Sequence, residues 1–320
     1  MQEPEGVLTF AFGHPRYVAQ AISLAQSVRL HNPGLRLACI TDKPDFPGLA
    51  DAFDILILFR PERGQALQQK LWFDCYTPFE RTAFIDSDCL VVGSLADVLQ
   101  RSRGYAFGPL GYTATEGWWY MQIPEVLAKY GLPFMPRFNG GYYYFERSPE
   151  ATRLFERARQ IGRIHKKLGI YDLGLWFNEE VFYALAMAWY RMPPVPDPQR
   201  TGMYTPDEFT EPFEINVLQG GCHFVREGEA YRPVIVHFFG RHGYAYQYLR
   251  ERARLRMHLQ GKPAWYSGIV LGAGHMAFAG IVGAYRAFHA LRGKPLPFKT
   301  NTPVVSVTNF AGPITRQLFK

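Results

Sequence analysis

Short apolar runs alternate with segments of helical period through the first part of the chain, the pattern of a mostly parallel sheet covered by helices. Residues 7–12 predict a strand closed by Gly13, and 35–41, 53–59 and 81–85 predict three more. Between the first two, Val18, Ala21, Ile22, Leu24, Ala25 and Val28 recur at helical spacing over 17–30, and Asn32-Pro33-Gly34 stops that helix. Residues 64–76 read as a helix carrying Lys70. Farther on, 141–145 is an aromatic strand, and Ser148-Pro149 is an N-cap and first-turn pair for a helix to about Lys167. A helix over 178–192 ends at Pro193-Pro194, and 234–237 is a short apolar strand ending at a polar residue.

The chain has 320 residues, 48% of them apolar and 16% aromatic, which excludes disordered and collagen-like classes. Cys39, Cys75, Cys89 and Cys222 are widely spaced, without a Cys-x-x-Cys pair, and read as reduced thiols. Met1-Gln2-Glu3-Pro4-Glu5 is acidic and lacks a basic-then-apolar run, so the expectation is a cytoplasmic protein without a secretory signal.

The formal charge of +7 is distributed unevenly: no Asp or Glu follows Glu251, whereas ten Lys and Arg do. This divides the chain into a near-neutral α/β domain, 1–243, and a basic, apolar helical extension, 244–320. Within the extension, 244–260 reads as a helix bearing Arg250, Arg252, Arg254 and Arg256 among tyrosines and leucines, and 264–285 carries no charged residue and one histidine. An interfacial or re-entrant element touching an anionic membrane surface through 244–294 is the preferred expectation, and no nucleic-acid partner is expected. The plainer alternative is a Gly/Ala-rich helix packed on the domain. A glycine pattern at 272–277 imitates a dinucleotide fingerprint but has no acidic residue after it for the ribose.

The sharpest chemical signal is Asp86-Ser87-Asp88 at the end of the apolar run 81–85. Side chains two apart on an extended chain share a face, so both carboxylates can converge on one hard cation. Such an ion at the C-terminal end of a parallel strand would neutralise a diphosphate and act as a Lewis acid on a phosphate leaving group. A strand ending in a turn with two solvated aspartates is the bland alternative.

Together with Thr9-Phe10-Ala11-Phe12-Gly13 and Tyr17, Lys70, Phe138-Asn139-Gly140-Gly141 and His237-Phe238-Phe239-Gly240, this motif resembles the GT-A glycosyltransferases. The resemblance is closest to glycosyltransferase family 8, the glycogenin-like and galactosyltransferase-like enzymes, and spans 7–240. It implies a Rossmann-like GT-A sheet, a nucleotide-sugar donor, usually a UDP-sugar, and Mn²⁺ or Mg²⁺. Asp86, Asp88 and His237 would be the metal ligands. Phe12, Gly13 and Tyr17 would face the base, Ser87 the ribose and Lys70 the diphosphate, with Asn139 and Gly140 near donor or acceptor sugar. The acceptor would be a glycan, lipid-linked or protein group, and the anomeric configuration would be retained.

The chain departs from the family twice. Asn178-Glu179-Glu180 replaces Asp-Gln-Asp, leaving Glu179 or Glu180 as candidate base or ion-pair stabiliser with Asn178 beside them, or leaving two acids that simply complement a helix dipole. Arg241-His242-Gly243 replaces the usual continuation to Lys-Pro-Trp, so Arg241 is the basic residue left near a diphosphate. The alternatives are a nucleotidyltransferase, for which Gly13-His14-Pro15-Arg16 is poor in glycine, and a degenerate transferase fold kept as a membrane-associated scaffold or sugar-binding module.

Overall fold

The computed structural model describes residues 3–165, 178–205, 213–226, 228–240, 243, 245–263 and 266. Its first strand, β1 (Glu3–Ala11), leads into α1 (Pro15–His31) and back to β2 (Arg36–Thr41). The short α2 (Leu49–Ala52) precedes β3 (Ile55–Leu58), and a 3-10 stretch, Ala66–Trp72, runs into the single turn α3 (Phe73–Tyr76). Then come β4 (Phe79–Ile85), β5 (Cys89–Val91), α4 (Ala96–Ser102), β6 (Phe107–Gly108) and β7 (Leu110–Ala114). After α5 (Ile123–Tyr130) the chain forms β8 (Met135–Phe138), β9 (Tyr142–Glu146), α6 (Pro149–Ile164) and α7 (Glu179–Trp189). Short strands follow: β10 (Val195–Pro196), β11 (Met203–Tyr204), β12 (Phe213–Ile215), β13 (Cys222–Arg226), β14 (Glu229–Tyr231) and β15 (Ile235–His237). The last described helix is α8 (Tyr246–Leu259).

The main sheet has the order β3-β2-β1-β4-β9-β6. The first four strands are parallel, while β9 runs antiparallel to both β4 and β6. The protein is thus α/β with a mostly parallel sheet. Successive residues of a strand point to opposite faces, and β1 shows why both faces are apolar. Val7 and Ala11 pack with Val18, Ala21, Leu24 and Val28 of α1, whereas Leu8 and Phe10 join the cluster containing Leu154 and Phe155 of α6 and Val181 and Phe182 of α7.

A third apolar cluster joins Leu90, Val92 and Phe238 to Tyr248 and Leu255 of α8. Helix α8 therefore packs against the body of the protein. Its arginines are tied to backbone: Arg252 donates to Ala19 O (2.9 Å) and Arg250 to Ile215 O (2.9 Å). Glu251, fully buried, accepts from Val217 N–H at 2.8 Å and pairs with Arg250 and Arg254. A charge stripe that reads as a face for anionic partners is largely spent on docking the helix. Apart from Tyr266, residues 264–320, including the apolar stretch and the glycine pattern within it, lie outside the described residues. No helix among the described residues is long and apolar enough to cross a membrane.

One element differs from its expected form. Over 64–76 the sequence predicts an α-helix, but the chain forms a 3-10 stretch before α3. Side chains capture the carbonyls there: Gln69 donates to Arg60 O and Gly64 O, and Tyr183 donates to Lys70 O. Lys70 O also accepts the Phe73 N–H, an i→i+3 bond of the 3-10 winding, and Lys70 is turned inward.

Candidate functional site

Asp86 follows directly on β4, at the C-terminal edge of the parallel strands, where the Asp86 N–H donates to Gly141 O (3.0 Å) and the Cys89 N–H closes a turn on Asp86 O (3.0 Å). The turn starts β5, and β15 pairs antiparallel with it, setting His237 opposite Cys89. One further bond, Phe238 N–H to Asp88 O at 3.0 Å, extends the ladder. This pairing brings the histidine to the aspartates. His237 Nε2 lies 3.2 Å from Asp88 Oδ1 and 3.8 Å from Asp86 Oδ2. Nε2 is buried without a well-aligned hydrogen bond, while the two carboxylates are about one fifth exposed (19% and 20%).

Among the described residues, Asp88, Cys89 and His237 are also grouped closely enough to hold a metal ion, their ligand atoms within 4.8 Å of one another. Burial pushes the Cys89 thiol well up, and the Asp88 and Asp86 charges push it further. A protonated thiol is a poor ligand, so Asp86 and Asp88 are the better anionic partners of His237.

Lys70 lies behind the pair of aspartates. Its ammonium contacts Asp86 Oδ2 (2.8 Å), Glu179 Oε1 (3.0 Å) and Gly140 O (3.2 Å), matching its three donors with three acceptors inside the protein. Burial alone would lower its pKa, but the Asp86 and Glu179 charges outweigh this and raise it. In this geometry Lys70 orients the two carboxylates.

Asn178 caps α7, its Oδ1 accepting the Glu180 N–H at 3.1 Å, and so sends the next two side chains inward. Glu179 goes to Lys70. Glu180 Oε1 accepts the Gly140 N–H at 2.6 Å, and Oε2 accepts from the Tyr120 hydroxyl at 3.5 Å. Lost hydration, and then the Glu179 charge, push the Glu180 carboxyl up to about 7 although the Gly140 N–H opposes them. Glu179 and Asp86 are likewise raised, mainly by burial against the pull of Lys70. His237 is raised because Asp88 and Asp86 outweigh its burial. Four carboxylates gather around the Lys70 ammonium and the His237 ring here, so the cluster favours an added proton or cation.

The Asn139-Gly140-Gly141 motif builds this arrangement from behind. A Cβ on Gly140 would meet Tyr143 Oη at 2.6 Å and Glu180 Oε1 at 3.0 Å, and one on Gly141 would meet His237 Nδ1 at 2.6 Å. The glycines make room for protein groups, whether or not a ligand also approaches. Asn139 Oδ1 takes the Gly141 N–H (2.9 Å) and contacts His237 Nδ1 (2.7 Å).

Of the three residues expected to face a base, Phe12 and Gly13 follow β1 and Tyr17 lies in the first turn of α1. Phe12 stacks on Phe59 (4.6 Å between centroids) and Phe10 (5.0 Å), and the Gly13 N–H, at φ +79°, donates to Asp42. Arg16 covers the Tyr17 ring at 4.6 Å. Ser87 is buried between the aspartates in sequence. Arg241, expected near a diphosphate, lies outside the described residues.

No known family profile matches the sequence, and no curated protein matches it. Solved structures that align with it include the following glycosyltransferases. The apo bifunctional glycosyltransferase WbbM shares 12% identity over 75% of this chain and 46% of its own, with a TM-score of 0.47. The galactosyltransferase LgtC, solved with donor and acceptor sugar analogues, shares 14% over 73% of this chain and 87% of its own, also at 0.47. GlyE of Streptococcus pneumoniae TIGR4 shares 16% over 62% of this chain and 46% of its own, at 0.40. The chain thus spans less than half the length of the WbbM and GlyE structures.

Sequence reasoning misses Tyr120, Asp42 and Thr205, whose hydroxyls and carboxylate meet the site. Thr205 Oγ1 lies 3.2 Å from His237 Nδ1. Nothing local in the sequence marks them, because each acts on a residue far away along the chain.

Proposed function

We propose that the protein is a metal-dependent glycosyltransferase that moves a sugar from a UDP-sugar to a glycan, lipid-linked or protein acceptor, with retention of configuration. The observation that carries this reading is the convergence of Asp86, Asp88 and the buried His237 Nε2 at the strand ends. A protonated His237 answers the two carboxylates by pairing with Asp88 at 3.2 Å, and in the neutral ring an Nε2 lone pair set against them calls for a cation in the proton's place. Two oxygen donors and an imidazole suit Mn²⁺ better than Mg²⁺, and Asp86, Asp88 and His237 are the residues that would hold it. When bound, the ion supplies charge neutralisation for a diphosphate and Lewis acidity toward the leaving phosphate.

The chain's own groups supply the rest. Lys70 fixes Asp86 and Glu179 in one geometry. Gly13, whose exposed backbone turns on Asp42, leaves space for a base beside Phe12 and Tyr17. In this reading Glu180, its carboxyl raised to about 7, would exchange a proton with a sugar hydroxyl, a role its raised carboxyl and its contact with Gly140 support.

The test is release of UDP from a panel of UDP-sugars with and without Mn²⁺. The reading expects one UDP-sugar to be cleaved only with the metal, faster when glycan acceptors are added. No release from any UDP-sugar in the presence of Mn²⁺, by folded protein, contradicts it.

A further inference from the structure

We infer that Asn139 is a positioning residue that fixes which nitrogen of His237 faces the cation. This rests on the metal-dependent reading above. The Gly141 backbone N–H, 2.9 Å from Asn139 Oδ1, can only donate, so the atom it meets is the amide oxygen. His237 Nδ1 lies 2.7 Å from that same oxygen, which has no hydrogen to give, so the contact is a hydrogen bond when Nδ1 carries the proton; Thr205 Oγ1, 3.2 Å from Nδ1, can accept or donate and so leaves the choice to Asn139. In the neutral ring this leaves the lone pair on Nε2, the atom that faces Asp88 and Asp86.

The opposite tautomer would set an Nδ1 lone pair against the Asn139 oxygen and an N–H on Nε2. That N–H would bond to Asp88 and fill the position between the carboxylates. Asn139 thus holds the site in its cation-accepting form, and the absent side chain of Gly141 lets the ring lie close enough for the bond. With its oxygen engaged twice by the protein, Asn139 contributes to sugar transfer through the histidine.

Two measurements test this. Long-range ¹H–¹⁵N spectra of the neutral ring in metal-free protein at alkaline pH report the tautomer directly. Calorimetric titration with Mn²⁺ alone compares wild type with Asn139→Leu and Asn139→Asp. The expected results are an Nδ1–H signature in wild type and loss of that preference in Asn139→Leu. The Mn²⁺ Kd should rise about 10–100-fold in Asn139→Leu, as is typical for outer partners of metal-binding histidines, with near-wild-type binding in Asn139→Asp, which keeps an acceptor oxygen. An Nε2–H tautomer in wild type overturns the inference even where Asn139→Leu fails to fold. Equal tautomers and equal Kd in wild type and Asn139→Leu also overturn it, leaving the metal reading standing. Absence of Mn²⁺ binding by folded wild type removes the metal reading itself.

Discussion

Lys70 and Glu179 form a buried ion pair, Nζ to Oε1 at 3.0 Å, and the same ammonium holds Asp86 at 2.8 Å. The lysine makes the charge of Glu179 tolerable away from water and supports that of Asp86, whose side chain keeps about one fifth of its exposure (19%). Replacing Lys70 by Met strands both charges, and removal of one partner from a buried pair costs about 3–5 kcal/mol. Urea unfolding of Lys70→Met should show a loss of this size, and Lys70→Met with Glu179→Gln should recover part of it. A single variant within about 0.5 kcal/mol of wild type would show that the pair does not hold the site together.

Glu180 gives stability a pH dependence with a definite sign. Its carboxyl is raised from 4.5 to about 7, so between these values the folded chain holds a proton that the unfolded chain releases. Stability from this group is full below the lower value and declines as pH rises through the window, by at most about 3 kcal/mol. Glu180→Gln should flatten that part of the stability profile measured by urea unfolding from acid to neutral pH. An unchanged slope in the variant would assign the dependence elsewhere.

The glycine pair offers a steric test. Alanine at 141 brings a Cβ to 2.6 Å from His237 Nδ1, whereas alanine at 34 meets nothing within 4 Å. Gly141→Ala should cost about 1–3 kcal/mol as the ring is displaced, and should weaken Mn²⁺ binding, while Gly34→Ala should be nearly neutral in both. Thermal unfolding and Mn²⁺ titration of the two variants check this. Equal behaviour would mean that the ring does not depend on the space at Gly141.

The sheet and its helices are largely legible in the sequence because they are local: β1, β2, β3 and β4 are apolar runs, and Ser148 and Asn178 cap the helices as their residue types predict. The aspartate pair stands out in the sequence for the same reason, its two residues lying one apart at a strand end. Lys70, Asn139 and the α8 arginines are not, since their roles depend on partners brought by the fold. Nothing in the sequence near Lys70 shows that Glu179 will lie 3.0 Å from its ammonium. An arginine stripe reads as a solvated face until Glu251 and the carbonyls of Ala19 and Ile215 are found beneath it.

That reading of α8 makes its own prediction. Glu251→Ala removes the acceptor of the buried Val217 N–H and the partner of Arg250 and Arg254, and should destabilise the protein by about 2–4 kcal/mol. Arg256→Ala, at an exposed position, should change stability by less than about 0.5 kcal/mol. Thermal unfolding of the two variants separates a helix integral to the fold from one that is merely appended.

The most direct test of the central claim is calorimetric binding of UDP to the purified protein, with and without Mn²⁺, repeated on Asp88→Asn. It requires neither the sugar nor the acceptor to be known. The account predicts UDP binding that depends on Mn²⁺ and is lost in Asp88→Asn while the variant remains folded. UDP binding that is indifferent to both the metal and Asp88, or no binding by the folded wild type in either condition, would contradict it.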